Sequence, residues 1–338
     1  MADTAQPDRP ARTVEVEQAL QGGALVVLTR RDVIVVSGPD AVEFLQGQLS
    51  QDVAGLAVGA SAPSLLLQPQ GKIDAWTRVT RVADDCVWLD LDAGYGEAAQ
   101  ARLRRFKLRV DCELAGATVV MVAIRGPAAG EGPAGLGMEV PPELLVLDAA
   151  WPSVAGFDLL AAPDVGSSGV EAVVAGLGER SDVVVGTEDE LEALRVRVGV
   201  PAMGRELDEG TIPAAAGIVD TSVDFTKGCY VGQELVARVD SRGSNTPTRL
   251  YGLRFDGVDG AGSTGSRDPS PGDSVVVDGV EVGRVTSYAP VTGEGPVGLA
   301  YIKRGTAVPG PAVVTSAGGA TLPVIVVQLP APLAQGPR

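Results

Sequence analysis

Asp224-Phe225-Thr226-Lys227-Gly228-Cys229-Tyr230-Val231-Gly232-Gln233-Glu234 is the stretch on which the reading of this chain turns. Two glycines bracket a cysteine and an aromatic, a composition that lets a backbone turn tightly or approach a ligand closely. Lys227 stands two positions from Cys229, and a cation near a cysteine in space favours the thiolate. Gln233 offers both a donor and an acceptor, while Glu234 offers acceptors suited to an amino-pyrimidine edge. On spacing alone the same residues equally describe a turn leading into a buried strand, with Cys229 as a small core residue.

The composition around that stretch narrows the classes of protein it can serve. At 338 residues the chain exceeds most single cores, so two or more packed units are expected. Hydrophobic residues make up 45% of it, yet no apolar run approaches the roughly 20 residues that cross a bilayer, so a soluble protein without a membrane partner is expected. The opening MADTAQPDRPAR lacks the basic start and apolar stretch of an export signal. Cys86, Cys112 and Cys229 are widely spaced with no CxxC pair, which argues against a disulfide framework and for the reducing cytoplasm. The formal net charge of −16 disfavours direct nucleic-acid binding at long range. The chain has no histidine, which removes Ser-His and Cys-His pairs and histidine metal sites; without a cysteine pair, no metal site is expected.

Along the chain, strands and helices mix, the pattern of an α+β fold. Residues 1–12 read as a disordered arm and 331–338 as a tail. Val33-Ile34-Val35-Val36 predicts a buried strand, and Asp40 with Glu43 predicts a capping box opening a helix whose apolar face is Val42, Leu45 and Leu49. Pro69-Gln70-Gly71-Lys72 predicts a hairpin link, and Val87 to Leu91 another strand. A helix over about 97–106 carries Arg102, Arg104 and Arg105 as a solvated basic face and leads into a strand expected from Leu108 to Leu114, which includes Cys112. Thr187 with Glu190 predicts a second capping box, for a helix that stops at Gly199. Composition shifts near Thr248, which separates a two-lobed core at 13–247 from a small β-barrel at 248–330. Residues 257–271 read as a mobile loop in that second unit, and Asp278-Gly279 as a hairpin turn.

Lys-Gly-Cys-Tyr-x-Gly-Gln-Glu at 227–234 resembles the signature of the YgfZ family, folate-binding relatives of the glycine cleavage T-protein that support iron-sulfur protein assembly or repair and, through it, tRNA modification. The resemblance continues into Leu235-Val236-Ala237-Arg238 and Arg242-Gly243. It is preceded by Leu194-Arg195-Val196, Gly199-Val200-Pro201 and Ile212-Pro213. At the front, residues 38–49 and Asp52-Val53 are similar to the family's first helix, and Pro69 to Lys72 and Arg105 to Arg109 fit too. Gly283 to Ser287 and Gly298 to Ile302 resemble its C-terminal barrel.

This likeness implies an aminomethyltransferase-like core that binds tetrahydrofolate or a derivative and serves iron-sulfur client proteins. It implies Cys229 as the functional thiol with Lys227 as its activator. Gln46, Gln48, Asp52, Tyr230, Gln233 and Glu234 are then expected at the folate, with Arg238 and Arg242 at its carboxylate tail. Three departures from the relatives stand out. Ala214 follows Ile212-Pro213 where a glutamate is frequent, and Trp76 stands where the T-protein has its catalytic aspartate. Gly156-Phe157-Asp158 replaces a segment whose glutamate holds the pterin. An aminomethyltransferase and a non-catalytic scaffold on the same fold are the alternatives.

Overall fold

The computed structural model describes residues 9–163, 165–255, 268–290 and 295–330. Its spine is β1 (Ala24–Ser37), whose two apolar halves, Ala24 to Val27 and Val33 to Val36, flank a polar middle. Seven further strands join it: β2 (Ser61–Leu67), β3 (Ile73–Ala83), β4 (Cys86–Asp92), β5 (Glu113–Arg125), β6 (Leu144–Asp148), β7 (Gly156–Ala161) and β8 (Val183–Gly186). Their order is β2-β3-β4-β1-β5-β7-β6, and β8 lies parallel to the start of β1.

The sheet curls strongly. Three strands separate β3 from β7, so a flat sheet would hold them about 19 Å apart, yet Arg78 on β3 meets Asp158 on β7 at 2.7 Å. This contact belongs to a buried ionic ladder in which Asp90 joins Arg31 (3.1 Å) and Arg78 (2.9 Å), and Asp158 joins Arg78 and Arg125 (2.8 Å). The Arg125 guanidinium ends the ladder over the Trp151 ring at 4.5 Å. Each buried charge therefore has an opposite partner, which offsets the cost of taking it out of water.

Helices cover the sheet: α1 (Arg9–Gly22), α2 (Ala41–Gln48), α3 (Gly96–Phe106), α4 (Ser168–Gly178) and α5 (Glu188–Val198), followed by the short α6 (Pro213–Ala216) and α7 (Val219–Ser222), then α8 (Gln233–Asp240). α1 begins at Arg9, inside the stretch expected to be an arm, because Arg12 ties it to Glu190 at 2.7 Å and to the Val185 carbonyl. Residues 1–8 and the tail 331–338 lie outside the described residues.

The second capping box forms as read, with Thr187 and Glu190 bonding reciprocally, and Gly199 ends α5 at φ 80°. The first does not. Asp40 has no side-chain cap bond, because its carboxylate accepts the Asp111 amide at 2.8 Å instead. The strand expected from Leu108 also moves: β5 starts at Glu113, since Arg109 sits at φ 58° and Leu108 is 77% exposed, neither compatible with a buried strand. Cys112 is buried just before that strand. The basic face of α3 is only partly solvated. Arg102 pairs with Asp74 at 2.9 Å and lies 3.8 Å from the Phe106 ring centroid.

A closed barrel follows, built from β9 (Thr248–Arg254), β10 (Ser274–Val277), β11 (Val280–Ala289), β12 (Val297–Lys303), β13 (Gly310–Thr315) and β14 (Thr321–Val327). Asp278 and Gly279, at φ 49° and 78°, make the β10–β11 turn, as their pairing requires. Residues 256–267, most of the loop expected to be mobile, lie outside the described residues.

A buried polar cluster joins the barrel to the core, beside an apolar one in which Val196 of α5 packs with Leu250, Ala289, Val297 and Leu299. Arg195 of α5 binds Glu206 at 2.9 Å and the Ser287 hydroxyl of β11 at 3.0 Å, and that hydroxyl donates to Glu206 at 2.6 Å. The Tyr301 hydroxyl of β12 donates to the Glu206 carbonyl at 2.9 Å. Among the described residues no helix is long and apolar enough to cross a membrane, and no group of three or more His, Cys, Asp or Glu is placed to hold a metal ion.

Candidate functional site

Residues 223–232 form the loop between α7 and α8, held by the backbone at both ends, and Gln233 and Glu234 open α8. Asp224 opens it as an Asx turn, its carboxylate accepting the Thr226 amide (2.6 Å), the Thr226 hydroxyl (2.7 Å) and the Lys227 amide (3.1 Å). The Asp224 amide donates to the Ser50 carbonyl at 3.0 Å, and the Val231 amide to the Gly47 carbonyl at 3.3 Å. The loop is thus laid along the end of α2 and the segment after it.

A small buried hydroxyl cluster fastens the same junction. Ser50, Ser64 and Ser222 are fully buried. The Ser50 hydroxyl donates to the Ser222 carbonyl and accepts the Leu65 amide at 2.8 Å. The Ser222 hydroxyl accepts the Trp76 indole N–H at 3.0 Å. Sequence reading missed these serines, and small buried hydroxyls scattered over three elements leave no periodic signal that would have found them.

Gly232 is where the loop meets the β2–β3 hairpin. It lies at φ 85°, and a Cβ there would stand 2.6 Å from the Gln68 carbonyl oxygen and 2.8 Å from the Leu67 Cβ. Gly71, at φ 70°, faces back, with room for no Cβ against that of Leu235. The signature loop and the Pro69 to Lys72 turn therefore touch through two glycines, a close approach that any side chain would block.

Within this frame the predicted residues divide. Cys229 is exposed at the loop surface. Lys227, expected as its activator, directs its ammonium elsewhere: Nζ donates to the carbonyls of Gln46, Leu49 and Gln51, each at 2.7 Å, and lies 5.3 Å from the Tyr230 ring centroid. An ammonium has three hydrogens, so none is left for the sulfur. Burial pulls the Lys227 pKa down to about 8 against the opposite pull of Asp52 and Asp224.

The Gln46 side-chain N–H donates to the Asp52 carboxylate at 2.8 Å, and the Gln46 side-chain oxygen accepts the Ala54 amide at 3.1 Å, so they order the turn after α2. The Gln233 side-chain carbonyl accepts the Tyr230 amide at 3.3 Å. Glu234, Arg238 and Arg242 are exposed on and just beyond α8.

Two of the predicted residues carry buried polar atoms with no partner in the structure: the Tyr230 hydroxyl and Oε1 of Gln48. They flank the Gly47–Val231 bond in sequence. Tyr230 is 6% exposed, and burial pushes its pKa up to about 12, so the hydroxyl stays protonated and able to donate. A buried polar group without a partner is costly, and the same holds elsewhere in the fold for the Thr80 and Thr286 hydroxyls.

Trp76, expected from the resemblance to replace the T-protein's aspartate, packs its indole against the core clusters around Val219 and Leu194. Asp74, two residues earlier, is held by Arg102. Asp158, in the segment expected to replace the pterin-holding one, is buried between Arg78 and Arg125.

Comparison with known proteins bears on the fold and on the family likeness. Residues 6–132 match the family described as the GCVT N-terminal domain. The tRNA-modifying protein YgfZ of Edwardsiella ictaluri is 29% identical over 232 residues, 65% of this chain and 68% of that protein. An aminomethyltransferase of Saccharopolyspora erythraea is 26% identical over 322 residues, 90% of this chain and 85% of that one. The crystal structure of glycine cleavage system aminomethyltransferase T from Bartonella henselae superposes with a TM-score of 0.77 at 22% identity, covering 95% of this chain and 90% of that one, and so shares the fold.

Proposed function

From the likeness to proteins named YgfZ over most of the chain, we propose that it is a member of that family, binds tetrahydrofolate or a derivative and acts as an accessory factor for the assembly or repair of iron-sulfur proteins, and thereby for tRNA modification. One observation carries this reading. The signature loop presents an exposed Cys229 while the adjacent Tyr230 hydroxyl and Gln48 Oε1 are buried without partners. Those two atoms suit the polar edge of a flat heterocycle, the hydroxyl as donor and the amide oxygen as acceptor. Arg238 and Arg242, both exposed, suit an anionic tail through their planar forks.

A reduced folate supplies, when bound, a heterocycle able to carry one-carbon units. The chain's own residues hold and orient: the loop fixes Cys229 at the surface, and Tyr230 and Gln48 provide the polar contacts. The thiol is the group that acts on the client, by redox, ligand or handover chemistry. Isothermal titration of tetrahydrofolate into the purified protein tests the binding half. Saturable binding at micromolar to millimolar ligand is expected, and none at millimolar ligand overturns it.

A second reading is favoured by the relatives named aminomethyltransferase, among them proteins matched over 80–90% of this chain. That chemistry needs a carboxylate near the reacting nitrogen to steer protons and charge. Trp76 occupies the expected position and Asp74 is neutralised by Arg102, which ranks this reading second. Glycine-dependent methylene-folate formation with a lipoyl carrier protein would reverse the ranking.

A further inference from the structure

Three main-chain carbonyls converge at the C-terminal end of α2. Gln46, Leu49 and Gln51 each place an oxygen 2.7 Å from one point, and that point is occupied by the Lys227 nitrogen. Helix C-termini leave carbonyls without partners and carry partial negative charge, so a cation is favoured there. The geometry is selective in a further way: three acceptors around one centre match the three donors of an ammonium, whereas a planar guanidinium cannot point three N–H groups at one centre. No carboxylate takes part directly, although Asp52 and Asp224 stand close enough to act through charge.

The consequence lies in what the lysine's own backbone carries. Lys227 is followed by Gly228 and Cys229, both exposed, and the loop's other anchors lie at Asp224 and Val231. Between those anchors, the ammonium plug ties the chain to the end of α2, and the Asx turn shapes the chain beside it. We propose that Lys227 is a positioning residue: its ammonium plugs a three-carbonyl cage at the end of α2 and so fixes the backbone that presents Cys229. The thiol's environment thus depends on Lys227 through geometry and not through a charge pair with the sulfur. This rests on Cys229 being the functional thiol, but the cage itself can be tested without any folate.

Lys227→Ala should open the cage. Hydrogen exchange at the amides of residues 224–231 should accelerate by at least about tenfold, the factor expected for losing one or two hydrogen bonds, while barrel amides stay unchanged. Alkylation of Cys229 by iodoacetamide, read at its own peptide by mass spectrometry, should change with it. Propylammonium, which replaces the missing alkyl-ammonium, should restore both readouts, and sodium chloride at equal ionic strength should not. Unchanged exchange, or equal restoration by both salts, would overturn the proposal. If the variant fails to fold, NMR of the native protein decides instead. The Lys227 ammonium protons should exchange with water more slowly than those of the other three lysines, Lys72, Lys107 and Lys303, and equally fast exchange would refute the cage. Loss of tetrahydrofolate binding by the wild type would sink the folate reading alone and leave these results standing.

Discussion

Tyr230 and Cys229 are neighbours with opposite environments, one buried with its hydroxyl unpartnered and one exposed. Removing the hydroxyl should separate stability from binding. Tyr230→Phe deletes a buried group that gains no hydrogen bond in the unliganded fold, so stability should hold or rise by about 1 kcal/mol, while tetrahydrofolate affinity should fall by roughly tenfold, as for one lost hydrogen bond. Thermal melting and calorimetric titration of the same sample check both halves. Cys229→Ser is a surface change and should shift stability by no more than about 0.5 kcal/mol. In cells that depend on this chain, the serine variant should nevertheless lower the activity of an iron-sulfur enzyme; full activity with a normally folded variant would favour a scaffold. Cys229 stood out in the sequence because the signature surrounds it. The contacts of Lys227 were not legible, since its partners are main-chain carbonyls, which every residue possesses and no sequence pattern marks.

At the scale of elements, the loop depends on close backbone approach and α3 on a cap delivered from another strand. Gly232→Ala forces a Cβ at φ 85° against the Gln68 carbonyl, a combination that should cost about 1–3 kcal/mol, measured by denaturant titration. The helix α3 is capped across the fold: Asp32 of β1 accepts the Gly94 and Gly96 amides at 2.8 Å each and the Thr118 hydroxyl at 2.7 Å. Burial pushes this carboxyl up, but those hydrogen bonds outweigh it and hold its pKa below the usual 3.8. A depressed carboxylate stabilises the fold fully above its unfolded value and loses that contribution as pH falls through the folded one. Asp32→Asn should therefore cost about 1–2 kcal/mol at neutral pH, with the gap to wild type closing below the ordinary carboxylate range. A gap that stayed constant with pH would show that packing, not charge, is what Asp32 provides. Local signals explain which helices could be read: Thr187 and Glu190 lie three apart and cap each other, whereas Asp40 is drawn to the Asp111 amide, 71 residues away.

For the whole molecule, the join of core and barrel combines the apolar cluster around Val196 with the polar one of Arg195, Glu206, Ser287 and Tyr301, and the polar one is expected to couple their melting. Glu206 is buried, and removing one partner of a buried pair leaves the other uncompensated. Glu206→Leu should cost about 3–5 kcal/mol and split a single unfolding transition into two in calorimetry; one cooperative transition at wild-type midpoint would show that the barrel is held by other contacts. Composition and turn residues made the α+β core and the barrel legible, because amphipathic patterns and the Asp278-Gly279 turn are local. The curl of the sheet was not, since Arg78 and Asp158 are 80 residues apart and on strands separated by three others. The same distance in sequence hid the join between the two units.

Protection of the Cys229 thiol by ligand is the most direct measurement. Iodoacetamide labelling of the native protein, in ascorbate-protected buffer with and without tetrahydrofolate, reports on that sulfur while Cys86 serves as the internal control. Tetrahydrofolate should slow labelling of Cys229 in a saturable way and leave Cys86 unchanged. Identical Cys229 labelling at ligand concentrations that calorimetry shows to be saturating would place the folate away from the signature loop and contradict it.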